Sequence, residues 1–352
     1  MKKTILHFIF SLGRGGAETM LVRTIKELKE YNNIVVTIKD DNEFGDELTC
    51  DKYICLHLKY IALYPLAIFK LKKIIKDNQV DIVHSHLFWP TIISRLSVPK
   101  NIPLFTTIHA FIATSVEYKR WDIRFLDKLT FRAKKSTIIA VAKGAQEEYF
   151  SYLKLTPFKT KVLYTFVDMD KFSIKNHASP NGTFRVLTVG ALRIQKNQQY
   201  LVRSMALLKN EDIELDIYGG GPLHDKLQSL IDETGAKVNL KGVVHNIEEV
   251  LPQYHVFTMS SLFEGFSLAV LEAMATKTPV LLSNISSFQE QGANTVLYFD
   301  IKNESSFADN LIALRNNQSE KNRLAELAYE RVTQNFTLPV YMNNLRKIYQ
   351  EL

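Results

Sequence analysis

Cysteine is scarce in this chain. Cys50 and Cys55 are the two among 352 residues. They cannot frame a disulfide scaffold, and a C-x4-C without partnering His or Cys is a poor metal pattern. The expectation is two reduced thiols in a cytoplasmic protein. Also missing is any apolar run of the ~18 residues that a membrane span needs. The nearest approach, YIALYPLAIFKLKKII, is interrupted by Pro65 and carries Lys70, Lys72 and Lys73. The opening MKKTILHFIFSLGRGG has the lysines and apolar stretch of a signal peptide. It lacks a small-residue cleavage site, and His7 interrupts the run, so it reads as a buried first strand. No nucleic-acid motif is visible, and no basic stripe alternates with aromatics. The dinucleotide fingerprint G-x-G-x-x-G fails where Glu18 replaces its third glycine, which removes the main support for a dehydrogenase.

The remaining composition is that of a globular protein with a large core: 46% hydrophobic and 23% charged residues. The length suits two domains. A net charge of +7 favours anionic partners such as phosphates, nucleic acid or an acidic membrane surface, without choosing among them.

Short β-rich runs alternate with helical patterns. TILHFIF is followed by AETMLVRTIKELKEY, whose apolar positions recur at helical spacing. Further strands are expected at NIVVTIK, DIVHSH, PLFTTIH and STIIAVA. A polar stretch with Pro180 and Gly182 then pauses the pattern. A second series runs through FRVLTVG, IELDIYG, KVNLKG, HVFTMS and TPVLLS. Such alternation argues for parallel sheets covered on both faces. The fold class is therefore α/β: two Rossmann-like, doubly wound domains facing each other across a cleft. Residues 1–168 form the first, 169–183 a linker and 184–335 the second. Ligands of such sheets bind beyond the carboxyl ends of the strands.

Polar residues cluster at those ends. SLGRGGAE brings Gly13, Gly15 and Gly16 to a helix start, where free N–H groups and the dipole suit an anion; a plain tight turn is the alternative. In VGALRIQKNQ, Arg193 and Lys196 follow Gly190 and suit a diphosphate. YGGGP, with Gly219 and Gly220, again permits close approach of a ligand. DMD (Asp168–Asp170) reads as a solvated turn rather than a cation site. The stretch EGFSLAVLE poses a sharper question, because Glu264 and Glu272 resemble a catalytic acid and base. Eight helical residues span ~12 Å, whereas paired glycosidase carboxylates stand ~5–9.5 Å apart. The two glutamates therefore suit two ends of one extended ligand. Ser267 is a plausible N-cap, and the helix start from Phe266 through Ala269 offers free N–H groups to a phosphate.

These residues, with Glu290 in SSFQEQG and with GRGGAE, DIVHSH and TTIHAF of the first domain, resemble glycosyltransferase family 4, retaining enzymes of the GT-B fold. The resemblance covers nearly the whole chain. It implies that Glu264 contacts donor-sugar hydroxyls and Glu272 the ribose. It implies that Lys196 and Arg193 bind the diphosphate, and that Gly15, Gly16, Gly190, Gly219, Gly220, Gly265, Phe266, Ser267 and Leu268 line the donor. Glu290 would help hold the nucleotide, and His109 would sit by the sugar; His84 and His86 are weaker candidates. The C-terminal helix, residues 336–352, would join the first domain. Departures from the family pattern are Ala191 for Arg, Lys277 and Ser267 for Gly, Ser260 for Pro, and Thr165-Phe166 for Asn-Gly.

The expected function is transfer of a sugar from a nucleotide-diphosphate donor to a hydroxyl of a glycan or polyprenyl-linked acceptor, with retention, in bacterial surface polysaccharide or glycoconjugate synthesis. The donor is a co-substrate; no cofactor and no metal are expected. Lysines and arginines among apolar residues in YKRWDIRFLDKLTFRAKK suit an anionic membrane surface, or are solvated helix faces. The expected location is cytoplasmic, or peripheral on the inner face of the cytoplasmic membrane. Alternatives on the same fold are a nucleotide-sugar epimerase and a non-catalytic subunit that binds nucleotide sugar or glycan.

Overall fold

The computed structural model describes residues 2–109, 111–112, 117–173 and 182–351. The chain divides into two compact units, residues 1–165 with 342–352, and residues 166–341.

The first unit holds seven strands: β1 (Thr4–Ile9), β2 (Asn32–Thr37), β3 (Lys52–Cys55), β4 (Ile82–His86), β5 (Leu104–Ile108), β6 (Thr137–Ala140) and β7 (Lys159–Val162). They pair in parallel in the order β3-β2-β1-β4-β5-β6-β7. Strand order reverses beside β1, the topological switch at which such sheets bind ligands. Alternation along β1 sends Leu6 and Phe8 to one face, against Ala67, Leu71 and Ile75 of the helix Tyr64–Asp77. Ile9 packs on the other face with Leu21 and Ile25 of the helix Gly16–Glu27. A buried ion pair, Arg95 to Asp127 at 2.5 Å, ties the helix Phe88–Ser97 to the helix Trp121–Ala133. The hydroxyls of Tyr118 and Tyr149 also donate to the Asp127 carboxylate, so the buried carboxylate takes three donors, while Arg95 Nε has no partner among the described residues.

The second unit holds β8 (Phe184–Val189), β9 (Ile213–Tyr218), β10 (Val238–Gly242), β11 (Val256–Met259), β12 (Val280–Ser283) and β13 (Leu297–Phe299). All are parallel, in the order β10-β9-β8-β11-β12-β13. This is the Rossmann order.

The division falls after Thr165, not after residue 168. Val167 donates its N–H to Phe336 O, and Phe166 packs on Tyr341 with ring centroids 4.9 Å apart, so this segment belongs to the second unit. The start of the expected linker is an ordered turn. The Asp168 carboxylate accepts the N–H groups of Asp170 and Lys171, each at 3.1 Å, and Phe172 is buried. Residues 174–181 of that linker lie outside the described residues. The last helix, Leu338–Gln350, gives its first turn to the second unit and the rest to the first.

Lys277 stands at φ +54°, a left-handed backbone that explains why glycine is the usual residue there. Its ammonium is held 2.5 Å from Glu326 and lies over the Tyr329 ring.

Candidate active site

In the second unit the loop after β8 is shaped by glycines. Gly219 has φ +144°, and a Cβ there would collide with the carbonyl oxygen of Gly190. At Gly221, with φ +157°, a Cβ would lie 2.6 Å from the carbonyl oxygen of Leu192. The nearest demand on these two glycines is therefore backbone against backbone rather than ligand approach. At Gly190 a Cβ would press on the Lys196 side chain, 3.3 Å from its Cε. Gly190 thus leaves the lysine a path along the strand end. Gly219→Ala should destabilise the second unit by about 1–3 kcal/mol through its left-handed φ alone. Urea unfolding followed by far-ultraviolet circular dichroism would measure this, and an unchanged midpoint would refute it.

Lys196 ends the short turn Ile194–Lys196 and donates to Glu264 Oε1 at 2.6 Å. Ser261 Oγ donates to the same oxygen at 2.8 Å. Glu264 is 8% exposed, so its charge is held in place by a cation and a hydroxyl. The two loops are stitched elsewhere too. Ser260 Oγ lies 3.0 Å from the carbonyls of both Lys196 and Asn197, Leu262 N–H donates to Gln195 O, and the Gln195 amide reaches Phe263 O at 3.1 Å. Ser260, a departure from the family pattern, thus fastens the lysine loop. Arg193 is exposed and has no side-chain hydrogen bond among the described residues.

The helix after Glu264 runs Leu268–Ala275, with Ser267 at its N-cap position. Ser267 does not cap it: its hydroxyl turns to Met259 Sδ and makes no cap hydrogen bond to the first turn. The Ser267 N–H, expected to be free, donates to Gln291 Oε1 at 3.1 Å, while Gln291 Nε2 donates to Ser267 O at 2.7 Å. Gln291 is fully buried. It is the residue of SSFQEQG that grips this loop, and its only sequence signal was its place next to Glu290. Gly265 and Phe266 complete the turn before the helix, and Phe266 is buried. Gly220 follows Gly219, and a Cβ there would lie 3.2 Å from Val243 Cγ2. Glu272 is half-buried one turn into the helix, and Glu290 is half-buried on the helix Ser286–Gly292. Arg331 fixes the latter by donating to the carbonyls of Glu290 and Gln291.

In the first unit Gly15 is the N-cap of the helix Gly16–Glu27. A Cβ at Gly15 would overlap the Glu18 carboxylate, which folds back over the helix start. Burial raises the Glu18 carboxyl above the usual range, more than a hydrogen bond to its own backbone lowers it. The anion-suited helix start is thus occupied by a carboxylate of this chain that is easily protonated.

His109 lies past β5 and is half-buried; its Nε2 is 3.2 Å from His86 Nδ1. It lines a cavity of about 470 Å³ with Phe10, Leu87, Phe88, Trp89 and Ile112. Behind it, His84 is bonded through Nδ1 to the Tyr349 hydroxyl at 2.6 Å and through Nε2 to Thr107 Oγ1 at 2.7 Å. His84 and His86 stack with centroids 4.3 Å apart. His7, paired with His84 in the β1–β4 register, shares this face. Burial holds His7 and His109 neutral, each lowered to about 4, and puts His84 and His86 well below the usual imidazole value. His84 and His86 are thus core members of the column that carries His109.

Comparison with known proteins agrees with this architecture. The family model described as Glycosyltransferase Family 4 matches residues 14–171, and that described as glycosyl transferases group 1 matches residues 169–331. A Campylobacter jejuni N-acetylgalactosamine-N,N'-diacetylbacillosaminyl-diphospho-undecaprenol 4-alpha-N-acetylgalactosaminyltransferase is 27% identical over 80% of this chain and 80% of its own. An Escherichia coli UDP-Gal:alpha-D-GlcNAc-diphosphoundecaprenol alpha-1,3-galactosyltransferase is 28% identical over 80% of this chain and 73% of its own. Anabaena HepE, solved in complex with UDP and glucose, superposes with a TM-score of 0.83 at 16% identity, covering 99% of this chain and 100% of that one. Two Rossmann-order sheets in tandem, each half matched by its own family model, make this chain a glycosyltransferase of family 4 with the GT-B fold.

Proposed function

We propose that the protein transfers a sugar from a nucleotide-diphosphate donor to a hydroxyl of a lipid-linked or glycan acceptor, with retention and without a metal ion, in bacterial surface glycan synthesis. The observation that carries this reading is the Lys196–Glu264 pair at the end of β8, 2.6 Å apart and followed by a helix start without a side-chain cap. An ammonium has three donors, so Lys196 can keep Glu264 and still take a diphosphate oxygen. As the sugar–oxygen bond breaks, negative charge grows on that diphosphate. Lys196, Arg193 and the amides at Leu268 are then electrostatic stabilisers in place before reaction, which makes a metal dispensable. Glu264 meets sugar hydroxyls, Glu272 the ribose, and Glu290 the nucleotide. Gly15 and Gly16 line the diphosphate once Glu18 yields, and His109 contacts the sugar.

The lipid-linked acceptors in the names of the two relatives support an acceptor of that class, and the UDP held by HepE supports a uridine donor. No described helix is long and apolar enough to cross a membrane. Trp121, Phe125 and Leu129, spaced four apart on the helix Trp121–Ala133, are 73%, 59% and 56% exposed beside Lys128 and Arg132. Such a face suits the surface of an anionic bilayer rather than its interior, which supports a peripheral location at the cytoplasmic leaflet.

Transfer to a diphospho-polyprenyl acceptor, assayed with UDP-, GDP- and ADP-sugars in EDTA, tests the reading. One donor class should give product with the anomeric configuration kept, as judged by proton NMR couplings. Epimerised donor in the absence of acceptor, donor binding without transfer, or inverted product would each overturn it.

A further inference from the structure

His7 and His86 are buried, and His7 Nδ1 and His86 Nε2 are inaccessible atoms with no hydrogen-bond partner among the described residues. A neutral imidazole carries one N–H and one lone pair. Buried N–H groups are almost never left unpaired, so an orphaned nitrogen here is a lone pair. His7 gives an independent check. Its Nε2 faces Asn33 Oδ1 at 3.3 Å, and the Asn33 amide nitrogen donates to Leu28 O and Tyr31 O. Asn33 Oδ1 is therefore an acceptor, the His7 proton sits on Nε2, and its orphaned Nδ1 is a lone pair.

The same rule applied to His86 puts its proton on Nδ1. That N–H points at His109 Nε2, 3.2 Å away, so Nε2 of His109 accepts and its own proton sits on Nδ1. The groups facing His86 are His84, stacked at 4.3 Å, His7 at 6.3 Å and His109. Among the described residues no carboxylate is hydrogen-bonded to this column, and burial keeps all four rings neutral.

We propose that His86 is a positioning residue that fixes His109 as its Nδ1–H tautomer, so that His109 presents an N–H donor to a hydroxyl or phosphoryl oxygen of the bound substrates. This rests on the assignment of His109 to the transfer reaction under the proposed function. An unrestrained imidazole in water prefers the Nε2–H tautomer, so the column imposes the less common form.

Long-range proton–nitrogen correlation of the nitrogen-15-labelled full chain reads the tautomer directly, with the His109 signals identified by their loss in His109→Gln. The wild type should show Nδ1–H at His109. His86→Leu should return it to Nε2–H and lower the transfer rate by about 10–100-fold, the usual cost of losing an orienting partner. His86→Asn, whose amide can donate in place of the imidazole Nδ1–H, should restore both. Nε2–H in the wild type, or an unchanged pattern in His86→Leu, overturns the proposal whatever the activity. If the tautomer behaves as expected but His109→Gln transfers at the wild-type rate, it is the role of His109 in the reaction that falls.

Discussion

Replacing Lys196 with alanine should lower kcat by about 10²–10³-fold, the range found when one preorganised donor to a developing anion is removed. The fold should survive. Lys196 is partly exposed, and its carboxylate partner retains the Ser261 hydroxyl, so the stability loss stays near the 1–3 kcal/mol of one unmet partner. A loss of activity that exceeds the loss of stability is what separates an electrostatic role from a structural one. Lys196→Arg keeps the charge, but its planar fork does not match the path beside Gly190, where even a Cβ on residue 190 would come within 3.3 Å of the Lys196 Cε. It should recover part of the rate only. Steady-state transfer measured beside thermal unfolding decides the matter. Full turnover in Lys196→Ala would remove the ammonium from the mechanism and with it the argument for a metal-independent reaction.

Much of this was legible in the sequence, for a physical reason. Buried parallel strands need a continuous β-rich apolar run, and all five interior strands of the first sheet, β1, β2, β4, β5 and β6, announced themselves that way. The unread strands were β3, β7 and β13, all at sheet edges. They are four, four and three residues long, and most of their side chains are only partly buried. An edge strand has one neighbour and little core to fill, so its composition carries little signal. Lys196 and Glu264 were visible as separate motifs, but nothing local says that residues 68 apart in the chain share a hydrogen bond. Gln291 was hidden for the opposite reason. A fully buried glutamine is defined by the two backbone groups it satisfies, and those belong to Ser267, 24 residues away. The glycines of YGGGP carried a true signal with an incomplete cause, since close approach was required, but by the Gly190–Leu192 backbone.

The histidine column predicts the largest effect on stability. His7, His84 and His86 are buried and neutral, with values in the folded chain well below the ~6.5 of an unfolded histidine. Below pH 6.5 the unfolded chain therefore binds protons that the folded chain refuses. Stability is complete above that pH and is lost as the pH falls towards the folded values, about 4 for His7. Each such histidine contributes a slope of about 1.4 kcal/mol per pH unit. His7 alone removes about 2 kcal/mol between pH 6.5 and 5, and His84 and His86, lowered by burial in the same direction, add to that loss, against the 5–15 kcal/mol by which a domain is stable. Both tryptophans, Trp89 and Trp121, lie in the first unit, so tryptophan fluorescence reports on its unfolding alone. Its urea midpoint should fall steeply from pH 7 to 5, above the ordinary carboxylate range; the raised Glu18 carboxyl, which takes its proton more readily in the folded chain, works in the opposite direction. His7→Phe should reduce the slope by one histidine's share, about 1.4 kcal/mol per pH unit. A midpoint that is flat over that window would mean that the column is hydrated or already charged, and the tautomers assigned to His86 and His109 would lose their footing with it.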